Sequence, residues 1–80
     1  MKKFEYIATF FSHFGAMSYC NALKEQDIAA KPIPVPKLIS SSCGTCVYYV
    51  SKYFIDMGDC ELDSVFIKSN NVFECVYIKD

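Results

Sequence analysis

The sequence predicts an α+β fold, namely a ferredoxin-like β-α-β-β-α-β sandwich whose two helices cover one face of a four-stranded antiparallel sheet. Two observations lead to this fold class. Four segments alternate their side chains as strands do, and two segments carry apolar residues at helical spacing. Short, right-handed connections turn this order into a split βαβ arrangement, with strands two and four at the sheet edges. The 80 residues suffice for one domain, predicted to span residues 1–80.

The first strand and the first helix are predicted from the N-terminal third of the chain. Aromatic and β-branched residues alternate from Phe4 to Phe10, which is typical of a strand. Ser12 follows and is a natural helix N-cap. Apolar residues then recur at helical spacing from Ala16 to Leu23. These features predict a helix that begins at Ser12 or His13 and ends near Gln26.

Three prolines alternate with apolar residues in the next segment, from Ile28 to Pro36. Proline has no N–H to donate to a sheet ladder. Since every second N–H of a strand points to the same side, Pro32, Pro34 and Pro36 remove donors along one edge only. The segment is therefore predicted to be an edge strand whose outer side is blocked. An extended, polyproline-like loop is the alternative.

The C-terminal half is predicted to contain two strands with a helix between them. Alternation from Cys46 to Lys52 predicts the third strand, and alternation from Val72 to Lys79 predicts the fourth. Between them, apolar residues at helical spacing from Leu62 to Phe66 predict a second helix over about Asp59 to Ser69.

Composition and charge argue against several classes of protein. The net charge is −1, and the eight basic residues are spread along the chain, so we expect no nucleic-acid partner. No apolar run approaches the roughly 20 residues that a membrane span needs, so we expect no membrane association. The alternating start of the chain is unlike a signal peptide. The five cysteines are therefore predicted to lie in a cytoplasmic protein, where thiols stay reduced.

The chemically suggestive feature is a serine-rich loop in which two residues separate Cys43 from Cys46. The predicted topology places this loop near His13, at the start of the first helix. A thiolate, the reactive form of cysteine, is stabilised by a helix N-terminus and by an imidazole. Ser42 can donate a hydrogen bond to sulfur, and Gly44 lets the backbone turn sharply beside Cys43. These five residues form the candidate site.

Structural explanations compete with this interpretation of the cysteines and the histidine. Cys20 and Cys75 fall on apolar faces and are predicted to pack in the core. His13 beside a helix cap is typical of a surface or capping residue. A structural zinc site usually needs four ligands, and the chain offers one C-x-x-C pair, so we predict no resident metal or cofactor. A metal-binding domain stays open as an alternative.

The proline segment and the cysteine loop together carry a resemblance. Residues 32–36 read Pro-Ile-Pro-Val-Pro, residues 39–44 read Ile-Ser-Ser-Ser-Cys-Gly, and the preceding helix begins with His13 and Ala16. This combination, which extends over most of the chain, resembles a selenium/sulfur carrier-like family of small bacterial proteins. The resemblance implies that Cys43 is a carrier thiol that holds sulfur or selenium as a persulfide or selenosulfide.

The leading hypothesis is a stoichiometric thiol carrier rather than a turnover enzyme. The Cys43 thiolate would take terminal sulfur or selenium from a donor persulfide, on a cysteine desulfurase for example. Cys46 would then attack the Cys43 persulfide, release sulfide and close a disulfide. The second hypothesis is a non-catalytic interaction or regulatory module of ferredoxin-like fold, acting as a homodimer. The third is the metal-binding domain, using the same pair of cysteines.

Overall fold

The computed structural model describes residues 3–37, 39, 44–54, 61–70 and 72–78. Within these residues it contains one helix and five strands, and all strand pairs are antiparallel. In chain order the elements are β1 (Phe4–Phe10), α1 (His13–Glu25), β2 (Ala30–Pro34), β3 (Thr45–Ser51), β4 (Leu62–Ser69) and β5 (Val72–Ile78). The strand order in the sheet is β2-β3-β1-β4-β5. The predicted α+β class is confirmed, but the four-stranded ferredoxin-like order is not.

The N-terminal predictions are confirmed almost to the residue. β1 has the predicted bounds, and α1 begins directly after Ser12, whose Oγ accepts a hydrogen bond of 3.1 Å from the backbone N–H of Gly15. This contact satisfies one of the free donors at the helix start. Ser12 is therefore the N-cap that the sequence predicts.

β2 lies at one edge of the sheet, as its prolines predict. The backbone N–H of Val35, just after β2, donates to the Gly44 carbonyl oxygen over 3.2 Å. Since N–H groups alternate in direction along an extended chain, the nitrogens of Pro32 and Pro34 face away from β3. The outer side of β2 therefore lacks donors where a further strand would need them.

The second predicted helix is wrong, because this segment forms β4 between β1 and β5. A bulge explains the misleading pattern. Thr9 pairs with Ser64 but Phe10 pairs with Leu62, so Asp63 is an extra residue in β4. The extra residue puts Leu62 and Val65 on the same face of the sheet, although they are three apart as on a helix. The predicted beginning of the helix, at residues 59–60, lies outside the described residues.

The main core lies between α1 and one face of the sheet. Tyr6 and Tyr49 stack with ring centroids 5.0 Å apart, and the Tyr19 hydroxyl from α1 donates to the Tyr49 hydroxyl over 3.0 Å. Cys20 is buried here, as predicted. The buried residues of this cluster are Tyr6, Ala8, Phe10, Ala16, Tyr19, Cys20, Leu23, Val47, Tyr49, Leu62 and Val65.

A smaller cluster covers part of the opposite face, which we call the back face. Ile7 of β1 and Cys46 of β3 are buried there with Ile39, which is only 5% exposed. Ile39 belongs to the segment after β2, where its N–H donates to the Pro36 carbonyl oxygen in a turn. Between β2 and β3 in the chain, Ile39 thus packs against the back face.

Cys75 corrects another expectation, since it is exposed rather than buried. It lies on β5 opposite Phe66, which belongs to the back face. β5 is the second edge of the sheet, so Cys75 has a paired strand on one side only. An apolar pattern along a strand predicts a buried face only where another layer covers that face, and at an edge this condition can fail.

Candidate functional site

A shallow groove lies at the end of the sheet where α1 begins and β3 starts. Its volume is about 480 Å³. It is lined by residues from the start of α1, from β2 and from the start of β3: His13, Met17, Pro32, Ile33, Pro34, Gly44 and Thr45. His13 and Gly44 are exposed, so the imidazole and the backbone that follows Cys43 open to the same solvent space. The fold therefore brings together two members of the predicted site.

Cys43 and Ser42 lie outside the described residues, and their predicted roles stay predictions. The chain on either side of them is held by named contacts. Ile39 is buried in the back-face cluster, and the Gly44 carbonyl oxygen accepts the hydrogen bond from Val35. The chain that carries Cys43 thus connects a buried anchor on the back face to a residue that lines the groove.

Gly44 is exposed at the groove, and its φ does not lie in the left-handed region. Its predicted role, to turn the backbone sharply beside Cys43, stays a prediction because Cys43 lies outside the described residues.

Cys46 lies in the predicted third strand, but its thiol is not in an accessible loop beside the groove. It is the second residue of β3, it is fully buried, and it belongs to the back-face cluster with Ile7 and Ile39. Its Sγ lies 3.8 Å from the Pro34 carbonyl oxygen. The next residue, Val47, packs in the core beneath α1, so the sheet separates the Cys46 thiol from the helix side where His13 lies.

Glu61 is a residue of this region that the sequence analysis missed. The Ser12 hydroxyl donates a hydrogen bond to Glu61 Oε1, and the Phe11 N–H donates to the Glu61 carbonyl oxygen over 2.9 Å. A carboxylate at a helix N-terminus offsets part of the positive charge there. Assigning Glu61 to a second helix hid this contact, because the pairing of β4 with β1 is what brings Glu61 to Ser12.

An exposed aromatic side chain, Phe14, stands beside the groove. Phe14 is 77% exposed. Phe14 and Met17 are three residues apart on α1, so they are neighbours on the helix surface, and Met17 lines the groove. None of the seven residues that line the groove is a lysine, arginine, aspartate or glutamate.

In the part of the chain that the structure describes, no group of three or more histidine, cysteine, aspartate or glutamate side chains is placed to hold a metal ion. In the same residues, no helix has the length and apolar character needed to cross a bilayer.

Comparison with known proteins gives one match. The family model described as "Putative Se/S carrier protein-like" matches residues 5–54 of the chain, from β1 to just beyond β3. The matched segment includes the groove-lining residues and the cysteine loop. Searches of curated proteins and of solved structures returned no significant match.

Proposed function

Since the chain belongs to the Se/S carrier-like family, we propose that it carries sulfur or selenium on the Cys43 thiol. The observation that supports this most directly is the family match itself, because residues 5–54 include Cys43 and the chain on both sides of it. The groove adds a setting for the chemistry. His13 and Gly44 line it together, so an incoming donor can reach the backbone that directly follows Cys43 in the chain.

Loading is a single thiol–persulfide exchange. The Cys43 thiolate attacks the terminal sulfur of a donor cysteine persulfide, and a new S–S bond forms on Cys43. The S–S bond of the donor breaks, and its cysteine leaves as a thiolate that takes up a proton from solvent. No oxidant or reductant is consumed. His13, which is exposed at the start of α1, serves as a hydrogen-bond donor to the attacking or departing sulfur.

Unloading goes first to a thiol on a second protein by the same exchange. The alternative is attack by Cys46 on the Cys43 persulfide, which closes a disulfide between them and releases hydrosulfide. Cys46 is fully buried in the back-face cluster with Ile7 and Ile39, so this step requires that cluster to open. Release of sulfur through Cys46 would therefore follow a conformational change that exposes its thiol.

Persulfide loading of the purified protein tests the proposal. Glutathione persulfide is added, and the modified cysteine is located by alkylation and mass spectrometry in the wild type, in Cys43→Ser and in Cys75→Ser. Cys75 is the matched control because it is an exposed cysteine away from the groove. We expect one added sulfur on Cys43, lost in Cys43→Ser and kept in Cys75→Ser. Sulfur on Cys75 alone, or on no cysteine, would refute the proposal.

A binding module is the second candidate function, favoured by the free edge of β5. β5 has no proline in contrast to β2, and its Val72, Val76 and Ile78 side chains are exposed. An apolar strand edge without such protection favours pairing with another strand, here the β5 of a second copy. Sedimentation equilibrium of the wild type tests this function. A dimer would favour it, and a monomer at all concentrations would exclude this pairing.

A further inference from the structure

We propose that the sulfur-donating protein docks on Phe14 and the groove, through an apolar contact surface of its own that carries few charges. We call these residues of the chain the docking surface: Phe14 and the seven residues that line the groove. The inference rests on the proposed function, because it names the partner that delivers sulfur to Cys43. It assigns to Phe14 the largest share of the contact.

The exposure of Phe14 is the first observation. Its ring is 77% exposed. Single exposed apolar residues are common, whereas an exposed aromatic ring that continues into an apolar groove marks a surface that binds another molecule. Here the apolar surface continues from Phe14 through Met17 to Pro32 and Pro34 in the groove. Aromatic side chains of this kind dominate the binding energy of protein interfaces.

The position of this surface is the second observation. Gly44 lines the groove, and Cys43 precedes it directly in the chain. A protein that covers Phe14 and the groove therefore brings its own persulfide to the part of the molecule that carries the acceptor thiol. Tyr53 is a comparably exposed aromatic residue, at 67%, but it follows the other end of β3. It provides a comparison that shares the chemistry of Phe14 but not its position.

Charge and backbone decide what kind of partner fits. None of the described residues that line the groove is a lysine, arginine, aspartate or glutamate, and the nearby Glu61 carboxylate is hydrogen-bonded to Ser12. The groove itself therefore contributes little charge–charge attraction to docking. The adjoining strand β2 cannot accept a further strand, because the nitrogens of Pro32 and Pro34 face outward. The partner must then bind by side-chain packing on an uncharged surface.

Two sulfur donors of different size test the inference. One is glutathione persulfide, which needs no docking, and the other is a cysteine desulfurase loaded with sulfur from cysteine. The rate of Cys43 persulfidation is measured in the wild type, in Phe14→Ser and in Tyr53→Ser. With the desulfurase below saturation, we expect the rate to fall about tenfold or more in Phe14→Ser, as for loss of an interface anchor. We expect no change in Tyr53→Ser.

The small donor separates the two possible failures. If neither donor loads Cys43 of the wild type, the proposed function fails and the inference fails with it. If both donors load the wild type but the desulfurase loads Phe14→Ser equally fast, only the docking surface is refuted. Equal rates of the three proteins with glutathione persulfide show that the variants are folded and their thiols intact.

Ionic strength provides an independent check of the chemistry of the partner. Because the docking surface carries few charges, raising the salt concentration about tenfold is expected to leave the desulfurase-dependent rate nearly unchanged. A steep fall with salt would overturn the inference in favour of a charged contact elsewhere. If sedimentation shows that Phe14→Ser dissociates a dimer of the wild type, the occupant is a second copy of the chain, and the inference is again overturned.

Discussion

Replacing Cys46 by serine is expected to destabilise the fold without preventing sulfur loading. The Cys46 thiol is fully buried beside Ile7 and Ile39. Its Sγ lies 3.8 Å from the Pro34 carbonyl oxygen, a contact distance suited to sulfur. Serine replaces this weakly polar thiol by a hydroxyl, and moving a hydroxyl out of water into an apolar cluster costs about 1–3 kcal/mol of stability. For a chain of this size, that corresponds to a fall in Tm of roughly 5–20 °C.

Thermal unfolding followed by circular dichroism measures this effect, with Cys75→Ser as the exposed control. Cys46→Ala removes the sulfur without adding a polar atom, so its loss of stability should be smaller than that of Cys46→Ser. The first addition of sulfur to Cys43 should proceed at the wild-type rate in all three variants. A Tm of Cys46→Ser equal to that of the wild type would refute the reasoning, because the thiol would then be accessible to water in solution.

Two further predictions concern the back face and the sheet edge. The Tyr48 hydroxyl donates to Glu5 Oε1 over 2.7 Å, and this bond, with burial and the carboxylate charge, raises the pKa of Tyr48 above 10.0. Because the folded-state pKa is raised, the hydrogen bond stabilises the protein below pH 10, and this contribution is lost as the pH rises through the folded-state pKa. Glu5→Gln removes the carboxylate charge and should therefore lower the Tyr48 pKa, as measured in an NMR titration of the ring carbons. An unchanged pKa would contradict the assignment. Replacing Pro32 and Pro34 together by threonine restores two outward donors on β2 and should produce concentration-dependent association in sedimentation velocity. Lys31→Thr is the matched control, since the N–H of residue 31 faces β3. If the double variant sediments as the wild type does, the prolines are not what prevents further strands from pairing with β2.

Local signals explain why the N-terminal half could be predicted from sequence. Ser12 marks the helix start, and the alternating prolines predict an edge strand without reference to any distant residue. β4 could not be predicted in this way. Its bulge at Asp63 gives Leu62 and Val65 the spacing of a helix, and only the pairing with β1 distinguishes the two structures. The family match, which ends at residue 54, also stops before this strand.

Within the candidate site, the nearness of His13 and Gly44 could be predicted, but the environment of Cys46 could not. That His13 and Gly44 line one groove follows from the order of the first three strands, which the sequence predicts. The burial of Cys46 depends on which residues pack on the back face, Ile39 among them, and no local pattern contains that information. The exposure of Cys75 likewise depends on the lack of a covering layer at β5 rather than on its neighbours in sequence.

The start of β3 explains why two cysteines of a C-x-x-C sequence need not act as a pair. Side chains alternate between the two faces of a strand, and β3 begins at Thr45. Thr45 therefore lines the groove on the side of His13, while Cys46 points to the back face and is buried in the cluster that contains Ile39. A dithiol pair needs both sulfurs in one accessible place, and the Cys46 thiol is not accessible. Release of sulfur to a thiol on a second protein, as proposed above, therefore avoids a step that would first have to expose Cys46.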